Sequence, residues 1–138
     1  MAAAGFARCS SSITARKLAS SASGAKLTLA ANGSFTFAQS VSNAQSYAVT
    51  VQTQPSGPTQ TCTVTNGTGA AAPTNVTDVA VNCTTNTYTI GGSVSGLTAS
   101  GLVMAVTAGS QTVSVASGAS SYVFPTAQPN GSAYTVSV

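Results

Sequence analysis

Apolar and polar residues alternate with a period of two through much of the chain. In Tyr47-Ala48-Val49-Thr50-Val51 the large apolar side chains fall at every second position, and Tyr134-Thr135-Val136-Ser137-Val138 repeats the rhythm. Such alternation puts one face of an extended segment on a core and the other in water. The segments are rich in Val, Thr, Tyr and Phe, which fit a pleated, half-buried surface. Turn formers punctuate them: Asn32-Gly33, Pro55-Ser56-Gly57-Pro58, Gly91-Gly92 and Asn130-Gly131. Asn32-Gly33 lies between two short strands, the pattern of a two-residue hairpin. No stretch carries apolar residues at helical spacing. The chain reads as all-β, with short strands and a turn signal roughly every 8–12 residues.

The pattern also repeats. Leu27-Thr28-Leu29 matches Val113-Ser114-Val115, Phe35-Thr36-Phe37 matches Tyr122-Val123-Phe124, and Tyr47–Val51 matches Tyr134–Val138, in the same order and 86 to 87 residues apart. That interval is the length of an immunoglobulin-like module. The two copies together supply seven strands: Tyr88–Leu97, Leu102–Thr107, segments near 113–115, 122–124 and 133–138, then Thr61–Thr65 and Val76–Cys83. The expected fold is a run of immunoglobulin-like, Greek-key β-sandwich repeats. Residues 1–26 read as a divergent or disordered leader, 27–86 as a first module without clear first strands, and 87–138 as the start of a second, truncated before its last hairpin. An intertwined arrangement, in which the copies complete each other, is a variant of the same expectation.

Cys62 and Cys83 flank the hairpin at the end of the first copy. If Cys62 stands opposite Cys83, then Val64 faces Val81 and Asn66 faces Val79, a mostly apolar face. Directly opposed residues of antiparallel strands lie within reach of a disulfide. The alternative is two buried free thiols. Cys9 is left over.

The stretch QPSGPTQTCTVTNGTGAAAPTNVTDVAVNCTTNTYTIGGSVSGL, Gln54–Leu97, resembles tandem immunoglobulin-like repeat modules of surface-exposed or secreted proteins and lipoproteins of Gram-negative bacteria. In that family a TCTVTNGSG-type hairpin with a second cysteine precedes a TIGG-VSGL start of the next repeat. The resemblance spans about residues 27–138 and implies an extracytoplasmic location, a Cys62–Cys83 bond and a stalk or spacer role. Residues 1–26 depart from the pattern. The Gly-Ser-Phe-Thr-Phe … Tyr-Ala-Val-Thr-Val rhythm is also loosely similar to prealbumin-like modules of the carboxypeptidase regulatory type.

Composition narrows the chemistry. Apolar residues make up 43% of the 138 positions and charged residues only 4%, against about 25% charged in a typical soluble domain. The net charge of +3 comes from Arg8, Arg16, Lys17 and Lys26, and from Leu27 onward the one charged side chain is Asp78. A nucleic-acid partner, which requires a basic face, is not expected. Nor is a transmembrane segment, since no apolar run reaches roughly 18 residues. The leader is interrupted by cations where a secretory signal needs an unbroken apolar stretch. Its acid-free, Arg/Ser-rich character resembles a mitochondrial transit peptide, but the bacterial, extracellular look of the rest of the chain favours a disordered or artificial start, such as a fragment beginning inside a larger protein.

With no His and one carboxylate side chain, the sequence lacks the groups for a Ser-His-Asp triad or a paired-carboxylate glycosidase. No enzyme activity, cofactor or metal site is expected, and no catalytic residues are assigned. Five sequons, at Asn32, Asn66, Asn75, Asn82 and Asn130, arise readily in so Asn- and Thr-rich a chain. Tyr47, Tyr88, Tyr122 and Tyr134 are the candidate sugar-stacking residues, although strand tyrosines more often cap a sandwich core. The expected function is a structural spacer of a cell-surface, adhesin-like bacterial protein, partnered by neighbouring repeats. Alternatives are a module that binds glycan or a host surface, and a filament subunit that self-associates through open strand edges.

Overall fold

The structure, a computed structural model, describes residues 2–8, 13–19 and 24–138. It consists of two compact units, Met1–Thr85 and Asn86–Val138. Both are built from β-strands, with one short 3-10 turn at Ala108–Ser110.

Unit 1 contains β1 (Ala2–Arg8), β2 (Ile13–Ala19), β3 (Lys26–Leu29), β4 (Gly33–Ser40), β5 (Ser46–Thr53), β6 (Gln60–Thr65), β7 (Thr68–Ala70) and β8 (Val76–Thr85). They form two four-stranded sheets, in the orders β4-β1-β8-β6 and β3-β2-β5-β7. All pairings are antiparallel except β1 with β8. One core serves both sheets. Phe35, Phe37, Cys62, Val79 and Val81 come from the first, and Leu29, Tyr47 and Val49 from the second. The alternation explains the packing. On β4 Phe35 and Phe37 turn inward while Ser34 and Thr36 face water, and on β8 Val79 and Val81 are buried while Asp78 and Asn82 are exposed.

β1 and β2 occupy the segment for which the sequence suggests a divergent or disordered leader, and both sheets include one of them. Their runs, AAAGFAR and ITARKLA, hide the strand pattern because alanine and interspersed cations carry no clear alternation. A second difference lies at Asn32-Gly33. The strands on either side, β3 and β4, belong to different sheets, so the turn is a corner between sheets and not a hairpin. Gly33 has φ 152° there, a conformation open to glycine.

Unit 2 contains β9 (Thr87–Tyr88), β10 (Gly91–Ser93), β11 (Leu102–Val106), β12 (Gln111–Val115), β13 (Ser121–Val123), β14 (Gln128–Pro129) and β15 (Val136–Ser137). They pair as β10-β13, β12-β11-β15 and β14-β9. The run expected to be one strand from Tyr88 to Leu97 is split into β9 and β10.

The repeat seen in the sequence is also a repeat of pairing. The order β3-β2-β5 in unit 1 is matched by β12-β11-β15 in unit 2, and the pair β1-β4 by β10-β13. Register agrees as well. Gly5 pairs with Phe35 and Gly92 with Tyr122, both members displaced by 87 residues. Lys17 pairs with Val49 where Val106 pairs with Val136. An edge-on aromatic pair recurs at the same place: Phe35 and Phe37 at 5.9 Å and 89°, Tyr122 and Phe124 at 5.6 Å and 84°. Among the described residues, unit 2 has no counterpart of the β6–β8 hairpin.

Candidate functional site

That hairpin is cross-linked as well as paired. β6 and β8 pair with Cys62 opposite Cys83 and Val64 opposite Val81, and the two cysteines are joined by a disulfide. The ladder ends at Thr65. Asn66, expected to face Val79, turns out of the ladder with φ 54° and donates from Nδ2 to the Asp78 carbonyl at 3.2 Å. An Asn-Gly pair tolerates this left-handed turn, and Asn66-Gly67 uses it to carry the chain from one sheet to the other. Beyond the turn, β7 pairs with β5, Gly69 opposite Tyr47. The Val49 amide donates to the Gly67 carbonyl at 2.7 Å, and Ala71 exchanges backbone bonds with Ala44 and Gln45.

The outer edge of β6 is occupied locally by Gln54. Its side-chain amide accepts from the Cys62 amide at 2.8 Å and donates to the Cys62 carbonyl at 3.1 Å, completing a backbone-like pair. Gln111 does the same for Thr126 in unit 2, at 2.8 and 3.0 Å. Edge groups satisfied in this way are poor templates for another strand.

Unit 2 looks different where, among the described residues, no counterpart of the hairpin stands. Phe124 and Val115 are buried, as their equivalents Phe37 and Leu29 are. Val136, equivalent to buried Val49, is half-exposed, and Tyr134, equivalent to Tyr47, is 58% exposed against 8%. The large exposed apolar side chains among the described residues, Tyr88, Val103, Val123, Tyr134 and Val138, all belong to this unit. Beside Tyr134 lies an open cleft of about 290 Å³, lined among others by Tyr88, Ile90, Gln128, Asn130 and Ser132. It is the candidate site. Tyr134 comes from the segment before β15, Tyr88 from β9, and Gln128 from β14, which pairs with Tyr88.

The cleft offers aromatic faces, amides, hydroxyls and backbone groups, and its lining contains no carboxylate, imidazole, thiol or amine side chain. Such a lining offers shape, stacking and hydrogen bonds. Of the four tyrosines, the structure brings Tyr88 and Tyr134 together here. Tyr47 is buried in the core of unit 1, and Tyr122 lies over Gly92, whose added Cβ would meet the ring at 3.0 Å. No signal in the sequence marks the cleft, because it depends on which strands are uncovered. Cys9 lies outside the described residues. Among those described, no helix is long and apolar enough to cross a membrane, and no three metal-ligating side chains cluster.

Comparison with known proteins supplies no relative: no protein-family model, no curated protein and no solved structure matches the chain.

Proposed function

We propose that the chain is a structural spacer built from tandem immunoglobulin-like, Greek-key sandwich repeats, working outside the cytoplasm on a bacterial surface or in a secreted, adhesin-like or lipoprotein assembly. The observation that carries this reading is the recurrence of the strand order and register of β1–β5 in β10–β15. A repeated β-module is a unit of length, and serial addition of such units extends a surface protein. The disulfide within the hairpin fits an oxidising compartment. The hydroxyl- and amide-rich surface, with Asp78 its only charge from Leu27 onward, suits a role without ionic or catalytic chemistry. Small-angle scattering of the chain tests the spacer role. An elongated particle of two beads is the expected outcome, and a single compact particle overturns it.

A second reading, glycan binding, is favoured by the exposure of Tyr88 and Tyr134 on one uncharged cleft. It calls for signal on a carbohydrate array that disappears in Tyr134→Ala, and a blank array ends it.

A further inference from the structure

We propose that Asn32 is a site of spontaneous deamidation, where the side-chain amide becomes a carboxylate without an enzyme, and that the fold withholds the same reaction from Asn66. The proposal rests on the backbone at two Asn-Gly pairs of unit 1, Asn32-Gly33 and Asn66-Gly67, and does not require the spacer role. The third such pair, Asn130-Gly131, belongs to unit 2, and its rate does not bear on the comparison.

The chemistry is ring closure. The backbone nitrogen of the glycine loses its proton and attacks Cγ of the preceding asparagine. A C–N bond forms, the Cγ–Nδ2 bond breaks and ammonia leaves, which closes a five-membered succinimide. Water then opens the ring. Attack at the side-chain carbonyl leaves aspartate, and attack at the backbone carbonyl leaves isoaspartate. One water is consumed and one ammonia released, with no oxidant, reductant or cofactor. Glycine favours the reaction because no side chain shields its nitrogen and its backbone turns freely. The reacting atoms are already joined, so the rate follows how readily the backbone brings the nitrogen against Cγ.

Solvent access does not separate the two pairs, since both asparagines are exposed and both glycines half-buried. Restraint does. At Gly67 an added Cβ would lie 2.7 Å from the Val49 carbonyl oxygen and 2.8 Å from Cγ1 of Val64. The Gly67 carbonyl accepts from the Val49 amide at 2.7 Å. The Asn66 Nδ2, which is the leaving group, donates to the Asp78 carbonyl at 3.2 Å. Turning the Asn66–Gly67 peptide toward Cγ requires these contacts to open together. At Gly33 an added Cβ would meet nothing within 4 Å. Its pair with Ala7 is the last at that end of the β1–β4 ladder, and ladder ends open at least cost. Ala30, Ala31 and Asn32, which connect β3 to β4, are all exposed. The product changes the surface. A carboxylate at position 32 joins Asp78 as the second charged side chain from Leu27 onward. Isoaspartate also lengthens the backbone of the corner between the two sheets by a methylene group.

The test is incubation of the oxidised full-length protein in warm, mildly alkaline buffer, with chymotryptic peptides mapped by mass over time. Phe35, Phe37 and Tyr47 lie between the two asparagines, so cleavage after aromatic residues places them in different peptides. Conversion at Asn32 is expected to outrun conversion at Asn66 by about tenfold or more, the size of effect that a few restraining contacts exert on a rate. Equal rates overturn the proposal, as does an Asn32 peptide that gains no acid. The second arm is the reduced chain unfolded in urea, where both pairs are expected to react at similar rates. An Asn66 that stays slow there would owe its protection to neighbouring sequence and not to the fold, which also overturns the proposal. Asn32→Gln would have to close a six-membered ring, and its peptide ending at Phe35 is expected to stay neutral over the same period. Acid appearing in that peptide would refute ring closure at residue 32.

Discussion

Tyr47 and Tyr134 hold the same position of the repeated strand, yet Tyr47 is 8% exposed and Tyr134 58%. The difference comes from outside the strand. Tyr47 lies against Gly69 of β7, where an added Cβ would come within 2.9 Å of its hydroxyl. Unit 2 has no such strand over Tyr134 among the described residues. Tyr47→Ala removes a buried ring and is expected to lower stability by about 3–5 kcal/mol. Tyr134→Ala is expected to change it by less than about 0.5 kcal/mol in dilute protein. Urea unfolding followed by circular dichroism separates the two, and equal losses would mean that the cleft is not open in solution.

Gln54 contributes through two hydrogen bonds to the backbone of Cys62. Truncation to alanine leaves that amide and carbonyl at the sheet edge without their partner. The expected cost is about 1–3 kcal/mol, given net values near 1 kcal/mol per bond. It also exposes an edge able to template strand addition. Gln54→Ala should therefore show both a lower urea midpoint and faster aggregation than the parent chain. Aggregation unchanged from the parent would show that the amide does not guard this edge.

The Cys62–Cys83 bond closes a sequence separation of 21 residues. Loop closure of this size is worth about 3 kcal/mol on the chain-entropy model. Reduction, or replacement of both cysteines by serine, should lower the stability of unit 1 by roughly that amount. In the unreduced protein, intact mass after alkylation should show one labelled thiol, Cys9. Three labelled thiols without reductant would be incompatible with the bond.

How much of this was legible in the sequence varies with how local each feature is. The register of β6 on β8 was legible, because setting Cys62 opposite Cys83 also brings Val64 against Val81 on one apolar face. The repeat was legible for the same reason, in its three aromatic- and valine-rich segments. β1 and β2 were not, since alanine, glycine and cations leave no alternation to read. β7 was missed because Thr68-Gly69-Ala70 has no large side chain, and a large one would collide with Tyr47. Asn32-Gly33 marked a change of direction correctly and its partners wrongly: the corner between sheets has a positive φ at Gly33 alone, where a two-residue Asn-Gly hairpin needs one at both positions. The cleft could not be read at all, because the exposure of Tyr134 is decided by strands remote in sequence.

Gly67 sits where the chain passes from β6 to β7, in the tightest surroundings of that crossing. A Cβ there would lie 2.7 Å from the Val49 carbonyl oxygen and 2.8 Å from Cγ1 of Val64. The Val49 amide is already bonded to the Gly67 carbonyl at 2.7 Å, which holds the two backbones close. Backbone must move to admit even a methyl group, and overpacking of this kind costs about 1–3 kcal/mol. At Gly69 the near neighbour is the tip of the Tyr47 ring, a side-chain end that can shift. Gly67→Ala should therefore destabilise unit 1 more than Gly69→Ala, although both add the same methyl group. Urea midpoints of the two variants measure the difference. A larger loss at Gly69 would place the critical close approach at the tyrosine, with the backbone crossing the softer of the two.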